Sequence, residues 1–232
     1  MMADSHAAES TYRPISDFEE WLPLTVDRSE WGRAEEKLKT RRTGAPTEDV
    51  VRAVRVAMRA AAVDTGAIEN LYDADRGFTF SVAMQTTAWQ TTMLQGGRAV
   101  RQLFEAQLEA YELGLDVATR SLPITEAWIR QLHAVLTGPQ ESVRVLTPQG
   151  WQDHALLKGA YKHHPNHVYL PDGKIHAYAP VVQTPVEMHR LVEQFDQTAF
   201  LAAHPVLQAA YAHYCLVAIH PFQDGNGRVA RA

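Results

Sequence analysis

The sequence predicts a mainly α fold that carries one small β-hairpin. Apolar residues recur at three- and four-residue spacing through most of the chain, as amphipathic helices require. Between Gly138 and Pro185 that period breaks down, and Gly, Pro and His become frequent. Inside this stretch two short β-prone runs flank the turn Pro171-Asp172-Gly173. The chain has 232 residues, enough for one substantial domain or for a domain plus a helical extension. With 46% hydrophobic and 21% charged residues it has the apolar material for a core. A net charge of −5 excludes general attraction to nucleic acid or to an anionic membrane surface, so any nucleotide must be held by a local site.

A single cysteine, Cys215, excludes an internal disulfide framework and fits a reducing compartment. Its apolar neighbours read as core, not as the setting of a catalytic thiol. No apolar run has the length of a membrane span. Residues 1–10 lack both the basic start and the apolar stretch of a secretion signal. They read as a loose tail, and the expected compartment is the cytoplasm.

Taken in order, Ser29 to Arg42 reads as a charged helix stopped by Gly44-Ala45-Pro46. Thr47 is placed to cap a second helix, with Glu48 and Asp49 in its first turn. Val51, Val54, Met58, Ala61 and Ala62 give that helix an apolar stripe, and it is expected to end near Asp64. Helices follow at about Val82 to Met93 and Arg98 to Thr119. Another begins after Pro123, with Trp128, Ile129, Leu132, Val135 and Leu136 on one side and Gly138 as its stop. The runs His167 to Leu170 and Lys174 to Tyr178 form the hairpin, and Val186 to Phe195 is helical again. The most apolar helix spans about Pro205 to Ile219, with Leu207, Ala210, Tyr211, Tyr214, Cys215 and Ala218 as its buried side. The scattered tryptophans read as core or loop packing. His163, His164 and His167 read as hairpin surface, because Pro165 prevents a helix from presenting two of them together.

Chemistry concentrates in His220-Pro221-Phe222-Gln223-Asp224-Gly225-Asn226-Gly227-Arg228-Val229-Ala230-Arg231. A buried helix ends at His220, since Pro221 opposes its continuation. Asp224 to Gly227 form a tight turn of residues that tolerate positive φ. A new helix starts behind them. Free N–H groups at that start, approached closely over glycine, suit phosphate. Arg228 and Arg231 lie three apart and can reach different phosphates. Asp224 offers a hard oxygen of the kind Mg²⁺ takes beside a nucleotide, and His220 a base near neutral pH. Each part alone is commonplace; together and in this order they describe phosphoryl or nucleotidyl transfer.

This stretch resembles the signature of Fic domains, His-Pro-Phe-x-Asp/Glu-Gly-Asn-Gly-Arg-x-x-Arg, at every defined position. The resemblance implies a Fic-like helical core over 123–232, with signature 220–231 and a β-hairpin flap at 163–180. A protein target would dock at that flap by strand addition. Ahead of the core stand a tail and charged helix at 1–45 and a helical region at 46–122. It further implies that His220 takes the proton from a Ser, Thr or Tyr hydroxyl, which attacks the α-phosphate of ATP. Asp224 would hold Mg²⁺; Gly225, Asn226 and Gly227 would line the anion cradle; Arg228 and Arg231 would hold the outer phosphates. Phe222 would anchor the loop. Related Doc-type kinases usually carry lysine where this chain has Gly227, which favours AMP transfer over phosphorylation.

Upstream, Thr65-Gly66-Ala67-Ile68-Glu69-Asn70 is similar to the inhibitory pattern Ser/Thr-x-x-x-Glu-Gly/Asn of autoinhibited Fic proteins. There the glutamate pairs with the second signature arginine, here Arg231, and displaces the γ-phosphate. Thr65, Glu69 and Asn70 are therefore the expected inhibitory residues, and self-modification or a homodimer joins ATP and the target among expected partners. The family fold continues beyond the signature, so the resemblance implies that its C-terminal helices are missing here. Two other functions fit the same residues. One is a Fic enzyme transferring another nucleotide or phosphate-containing group; the other is a truncated, non-catalytic fragment acting as a binding or regulatory module.

Overall fold

A computed structural model describes residues 12–24, 27–69, 71, 97–147, 149–172 and 174–232. Among these residues the chain is mainly helical, as the periodicity predicts. A 3-10 turn at Phe18–Trp21 precedes α1 (Ser29–Arg42) and α2 (Thr47–Ile68). Next come α3 (Gly97–Arg120) and α4 (Glu126–Leu136). Two hairpins follow, β1 (Ser142–Thr147) with β2 (Gly150–Ala155), then β3 (Val168–Tyr169) with β4 (Ile175–His176). The remaining helices are α5 (Thr184–Phe195), α6 (Thr198–Ala202), α7 (Pro205–Ile219) and α8 (Asn226–Arg231).

Helix α7 is the central element. His204 caps it through Nδ1, which accepts from the Val206 N–H, and Pro205 occupies the first turn, where no N–H is needed. It packs against α5 on one side and α8 on the other. Its buried residues are Leu207, Tyr211, Cys215, Leu216 and Ile219. Ala210 and Tyr214, expected inside, are exposed, because the buried stripe is narrower than overall apolarity suggests. Tyr214 lies instead over the rim of the core, its ring 5.4 Å from that of Trp21. Met188 and Leu191 of α5 and Leu132 and Leu136 of α4 complete the interior. Each such side chain contributes roughly 1.5–3 kcal/mol by leaving water.

The N-terminal segment belongs to this same interior. Phe18 is fully buried against Phe200 and Tyr211, with ring centroids 4.9 and 5.1 Å away. Glu187 accepts from the Tyr12 hydroxyl (2.7 Å) and the Ile15 N–H (3.1 Å), and the Tyr211 hydroxyl donates to the Ser16 carbonyl (2.7 Å).

Several expectations need correction. No side chain caps α2: Pro46 stands at the capping position and Thr47 is already helical. This helix also continues past Asp64 to Ile68, so most of the segment 65–70 forms its last turn. Its stripe is buried only in the second half, for Val51 and Val54 are exposed while Ala62 and Val63 are fully buried against α3. Besides the expected β3–β4 pair there is a second hairpin, β1–β2, in register from Ser142 opposite Ala155 to Thr147 opposite Gly150. Val143 and Val145 do alternate there, but the partner strand, Gly150-Trp151-Gln152-Asp153-His154-Ala155, carries no matching apolar alternation. Trp31 and Trp151 are exposed, and Trp151 lies under the Arg144 guanidinium at 5.8 Å. The helix expected at Val82 to Met93, the tail 1–10 and Asn70 lie outside the described residues. No helix among the described residues is long and apolar enough to cross a membrane.

Candidate active site

The site begins where α7 stops. His220 sits at its C-cap in the left-handed region (φ 53°, ψ 59°), a conformation costing an L-residue on the order of 1–2 kcal/mol. Its Nδ1 lies 3.2 Å from the Val217 carbonyl. A carbonyl can only accept, so the proton is on Nδ1 and the Nε2 lone pair is free. Burial disfavours the imidazolium and pulls the His220 pKa down to about 4, against the opposing pull of the Val217 carbonyl. The ring is stacked on Tyr178 at 3.8 Å. At neutral pH it is an uncharged base.

The loop behind it is braced from within. Asn226 accepts from the Phe222 N–H and donates to the Phe222 carbonyl, both at 2.8 Å. Phe222 is fully buried and stacked on His133 at 3.9 Å. His133 accepts at Nδ1 from the Gly159 N–H (2.9 Å), which leaves its Nε2–H to donate to the Asp224 carbonyl (3.0 Å). Burial takes its pKa down to about 4, so it holds the loop as a neutral ring. Gly225 needs its φ of 78°, and a Cβ there would lie 2.8 Å from a Thr137 methyl.

Asp224 turns its carboxylate outward, with Oδ1 accepting from the Gly225 N–H (2.6 Å) and Oδ2 from Gln140 Nε2 (2.5 Å). The other end of the same amide, Gln140 Oε1, accepts from Arg228 Nη2 (2.7 Å). Arg228 is almost wholly buried and also reaches the Leu136 carbonyl at 3.4 Å. Asp224 and Arg228 border a cavity of about 290 Å³ that is also walled by Glu69, Leu71, Gln102 and Gln140. The Asp224 side chain is 40% exposed, and one hard carboxylate suits Mg²⁺, which keeps several waters and phosphate oxygens as ligands. Among the described residues no group of three or more His, Cys, Asp or Glu is gathered for an all-protein metal site.

Arg231, one turn beyond Arg228, takes a different partner. Its Nη2 forms an ion pair with Glu69 Oε1, across 162 positions. Glu69 is the C-cap of α2, and both side chains are about a quarter exposed (27% and 23%). Tyr111 of α3 ties the two segments, its hydroxyl donating to the Arg231 carbonyl (3.2 Å) and lying 2.9 Å from Thr65 Oγ1. Since the Tyr111 proton is spent on the carbonyl, Thr65 is the donor. Gly227 lies beneath the ion pair, and a Cβ there would overlap Glu69 Oε1. Among the described residues the Nε atoms of Arg228 and Arg231 have no hydrogen-bond partner, so neither guanidinium is saturated.

The structure thus gathers His220, Asp224, Gly225, Asn226, Gly227, Arg228 and Arg231 on one loop and helix, and brings Thr65 and Glu69 to them. The Asn226 side chain points into the loop. Arg228 is turned inside while Arg231 meets Glu69, so the two arginines do not share a partner. Six residues that sequence reasoning did not single out for the site also bear on it: Tyr111, His133, Gln140, Lys162, Asn166 and Tyr178. Lys162, with burial drawing its ammonium pKa down to about 7, bonds to the Ile219 carbonyl, the last of α7. Cys215 is buried core, where burial pushes the thiol up to about 12.

Residues 123–232 match the family model described as Fic/DOC family. Over 170 residues the chain is 28% identical to "Protein adenylyltransferase fic-1" of Caenorhabditis briggsae, covering 67% of this chain and 28% of that protein. It is 28% identical over 167 residues to "Protein adenylyltransferase Fic" of Drosophila persimilis, with 67% and 27% covered. A shorter match to the Aedes aegypti protein of that name reaches 50% over 52 residues, 20% of this chain and 10% of that one. The chain therefore spans less than a third of the length of these curated relatives. Among solved structures, a Fic domain containing signaling protein from Bacteroides thetaiotaomicron superposes with a TM-score of 0.53 at 22% identity, covering 92% of this chain and 66% of the other. A Fic family protein from Desulfovibrio desulfuricans gives 0.53 at 20% identity, with 95% and 57% covered. At such identity these two speak for the fold. Over residues 123–232 this chain is thus similar to the Fic/DOC family.

Proposed function

We propose that this chain provides the catalytic core of a protein adenylyltransferase held in check by its own α2. The observation that carries this reading is the pairing of Glu69 with Arg231 on the same twelve-residue segment that bears His220 and Asp224. The names of the relatives supply the group transferred, AMP from ATP.

In the proposed reaction, His220 Nε2 takes the proton of a target Ser, Thr or Tyr hydroxyl. The oxygen forms a bond to the α-phosphorus as the bond to the leaving pyrophosphate breaks. Free of substrate, His220 is a weak base because it is desolvated. The negative charge of a bound triphosphate raises its basicity when a proton is to be moved. Asp224 would hold Mg²⁺ together with phosphate oxygens, and the ion would supply neutralisation of phosphate charge. Backbone groups of Gly225 to Gly227 and the guanidiniums of Arg228 and Arg231 would cradle the phosphates. While Glu69 occupies Arg231, the γ-phosphate has lost that guanidinium. A protein target is expected to lie along β3–β4, where strand addition would place its hydroxyl near His220.

The test is label transfer to the chain itself and to a cell extract from a panel of α-labelled nucleotides, with His220→Ala as control. The expected outcome is incorporation from ATP that falls by ~10²–10⁴-fold in His220→Ala, the usual worth of a positioned base. Transfer from another nucleotide in preference to ATP would replace AMP as the group. Transfer undiminished in His220→Ala would remove His220 from the mechanism.

A further inference from the structure

His220 is held from both roots of the β3–β4 hairpin. Before β3, two side chains and one N–H satisfy four consecutive carbonyls around the histidine. Lys162 Nζ donates to the Ile219 carbonyl (3.2 Å) and the Lys162 N–H to the Pro221 carbonyl (2.8 Å). Asn166 Nδ2 donates to the carbonyls of His220 (3.2 Å) and Phe222 (2.7 Å). Asn166 Oδ1 in turn accepts from Lys162 Nζ at 2.9 Å, so the two side chains form one unit. The Ile219 and His220 carbonyls are among those left open where a helix ends, and those of Pro221 and Phe222, the latter also accepting from Asn226, belong to the loop that follows.

Behind β4, the Tyr178 ring lies 3.8 Å from the His220 ring at 12° to its plane. The Tyr178 N–H donates to His167 Nδ1 at 3.1 Å, closing the base of the hairpin between the two roots. Backbone and ring of the histidine are therefore fixed by opposite ends of one short hairpin.

We infer that Lys162, Asn166 and Tyr178 are positioning residues for His220, and that the hairpin root works as a clamp which sets both its left-handed backbone and the plane of its imidazole. This inference rests on the reading of His220 as the base. It goes beyond that reading in coupling the hairpin to proton transfer itself. A hydroxyl presented at β3–β4 meets a base whose orientation the same element determines. All three act through His220 in this reading, so their loss should lower turnover and spare ATP binding.

The experiment measures AMP transfer by the full chain carrying Glu69→Gly, in Tyr178→Leu, Tyr178→Phe and Lys162→Met variants. Tyr178→Leu should lower turnover at saturating ATP by at least about tenfold with the KM for ATP within about twofold, and Tyr178→Phe should recover most of the rate. Lys162→Met should lose turnover in the same pattern; if it does not fold, the Tyr178 pair decides. An activity-independent readout is the proton NMR spectrum at neutral pH. Resonances assigned to the His220 ring by their absence in His220→Gln should be shifted upfield by the stacked tyrosine. That shift should vanish in Tyr178→Leu and persist in Tyr178→Phe. Parental turnover or unchanged ring shifts in Tyr178→Leu would overturn the clamp, as would an effect confined to KM. Full transfer by His220→Ala would instead defeat the base assignment, and the ring shifts would still report on the clamp.

Discussion

His220 and Asp224 stand four residues apart, yet they are prepared in opposite ways. The imidazole is buried and neutral, while the carboxylate faces a cavity and is held by one amide, one backbone N–H and, at 3.7 Å, the Arg228 guanidinium. The pH dependence follows. Protonation disables the base, so kcat/KM, which reports the free enzyme, should be level from about pH 6 to 8 and fall only as pH drops towards the His220 pKa of about 4. An acid limb centred near 6.5 in kcat/KM would mean that the histidine is solvated when substrate arrives. For Asp224→Ala the expected loss is in Mg²⁺-dependent ATP binding. Superimposable Mg²⁺ titrations of parent and variant would reduce Asp224 to a turn residue. At this scale the sequence is informative where residues act together over a short span. The signature loop is legible because its turn, base, carboxylate and arginines are neighbours in the chain. Gln140, Lys162 and Asn166 are not legible, for each is a single polar residue in an irregular stretch whose partners lie 54 to 88 positions away.

Among the elements, α2 carries the regulation proposed above. Because it continues to Ile68, Glu69 is presented from the end of a helix and not from a loop. Tyr111 fastens that end to the carbonyl of Arg231. The pair is partly exposed, so its worth lies between the ~1 kcal/mol of surface bridges and the ~3–5 kcal/mol lost on breaking a buried one. A tenfold change, ~1.4 kcal/mol, lies near the bottom of that range. Glu69→Gly should therefore raise AMP incorporation at saturating ATP by at least about tenfold, equivalent to ~1.4 kcal/mol. Arg231→Ala should not reproduce the gain, since it removes the guanidinium the phosphate would use. Equal incorporation by parent and Glu69→Gly would make this segment an ordinary helix end. Helices α1, α4, α5 and α7 were legible from period and stop signals to within a few residues. The β1–β2 hairpin was not, because only one of its strands alternates.

Taken whole, the molecule draws its interior from both ends of the chain. Phe18 lies more than a hundred positions before the matched family domain, yet it is as buried as Phe222 of the signature. Phe18→Ala should cost about 3–5 kcal/mol of stability, as for other fully buried aromatic side chains. Urea unfolding checks this, and a loss under about 1 kcal/mol would show that the segment merely rests on the surface. Sequence reading saw no such role, since one short apolar turn beside a polar tail has no periodicity to betray it.

That placement of Phe18 also bears on how the protein is made. On a ribosome the aromatic emerges while its partners Phe200 and Tyr211 are still untranslated. At roughly 5–20 residues per second, the intervening stretch of about 180 residues keeps Phe18 waiting for ~10–35 s. For that interval Ile15, Phe18 and Trp21 have no core to close on. A nascent chain in that condition is a natural client for a holding chaperone, because Phe18 cannot be buried until Phe200 and Tyr211 have been made.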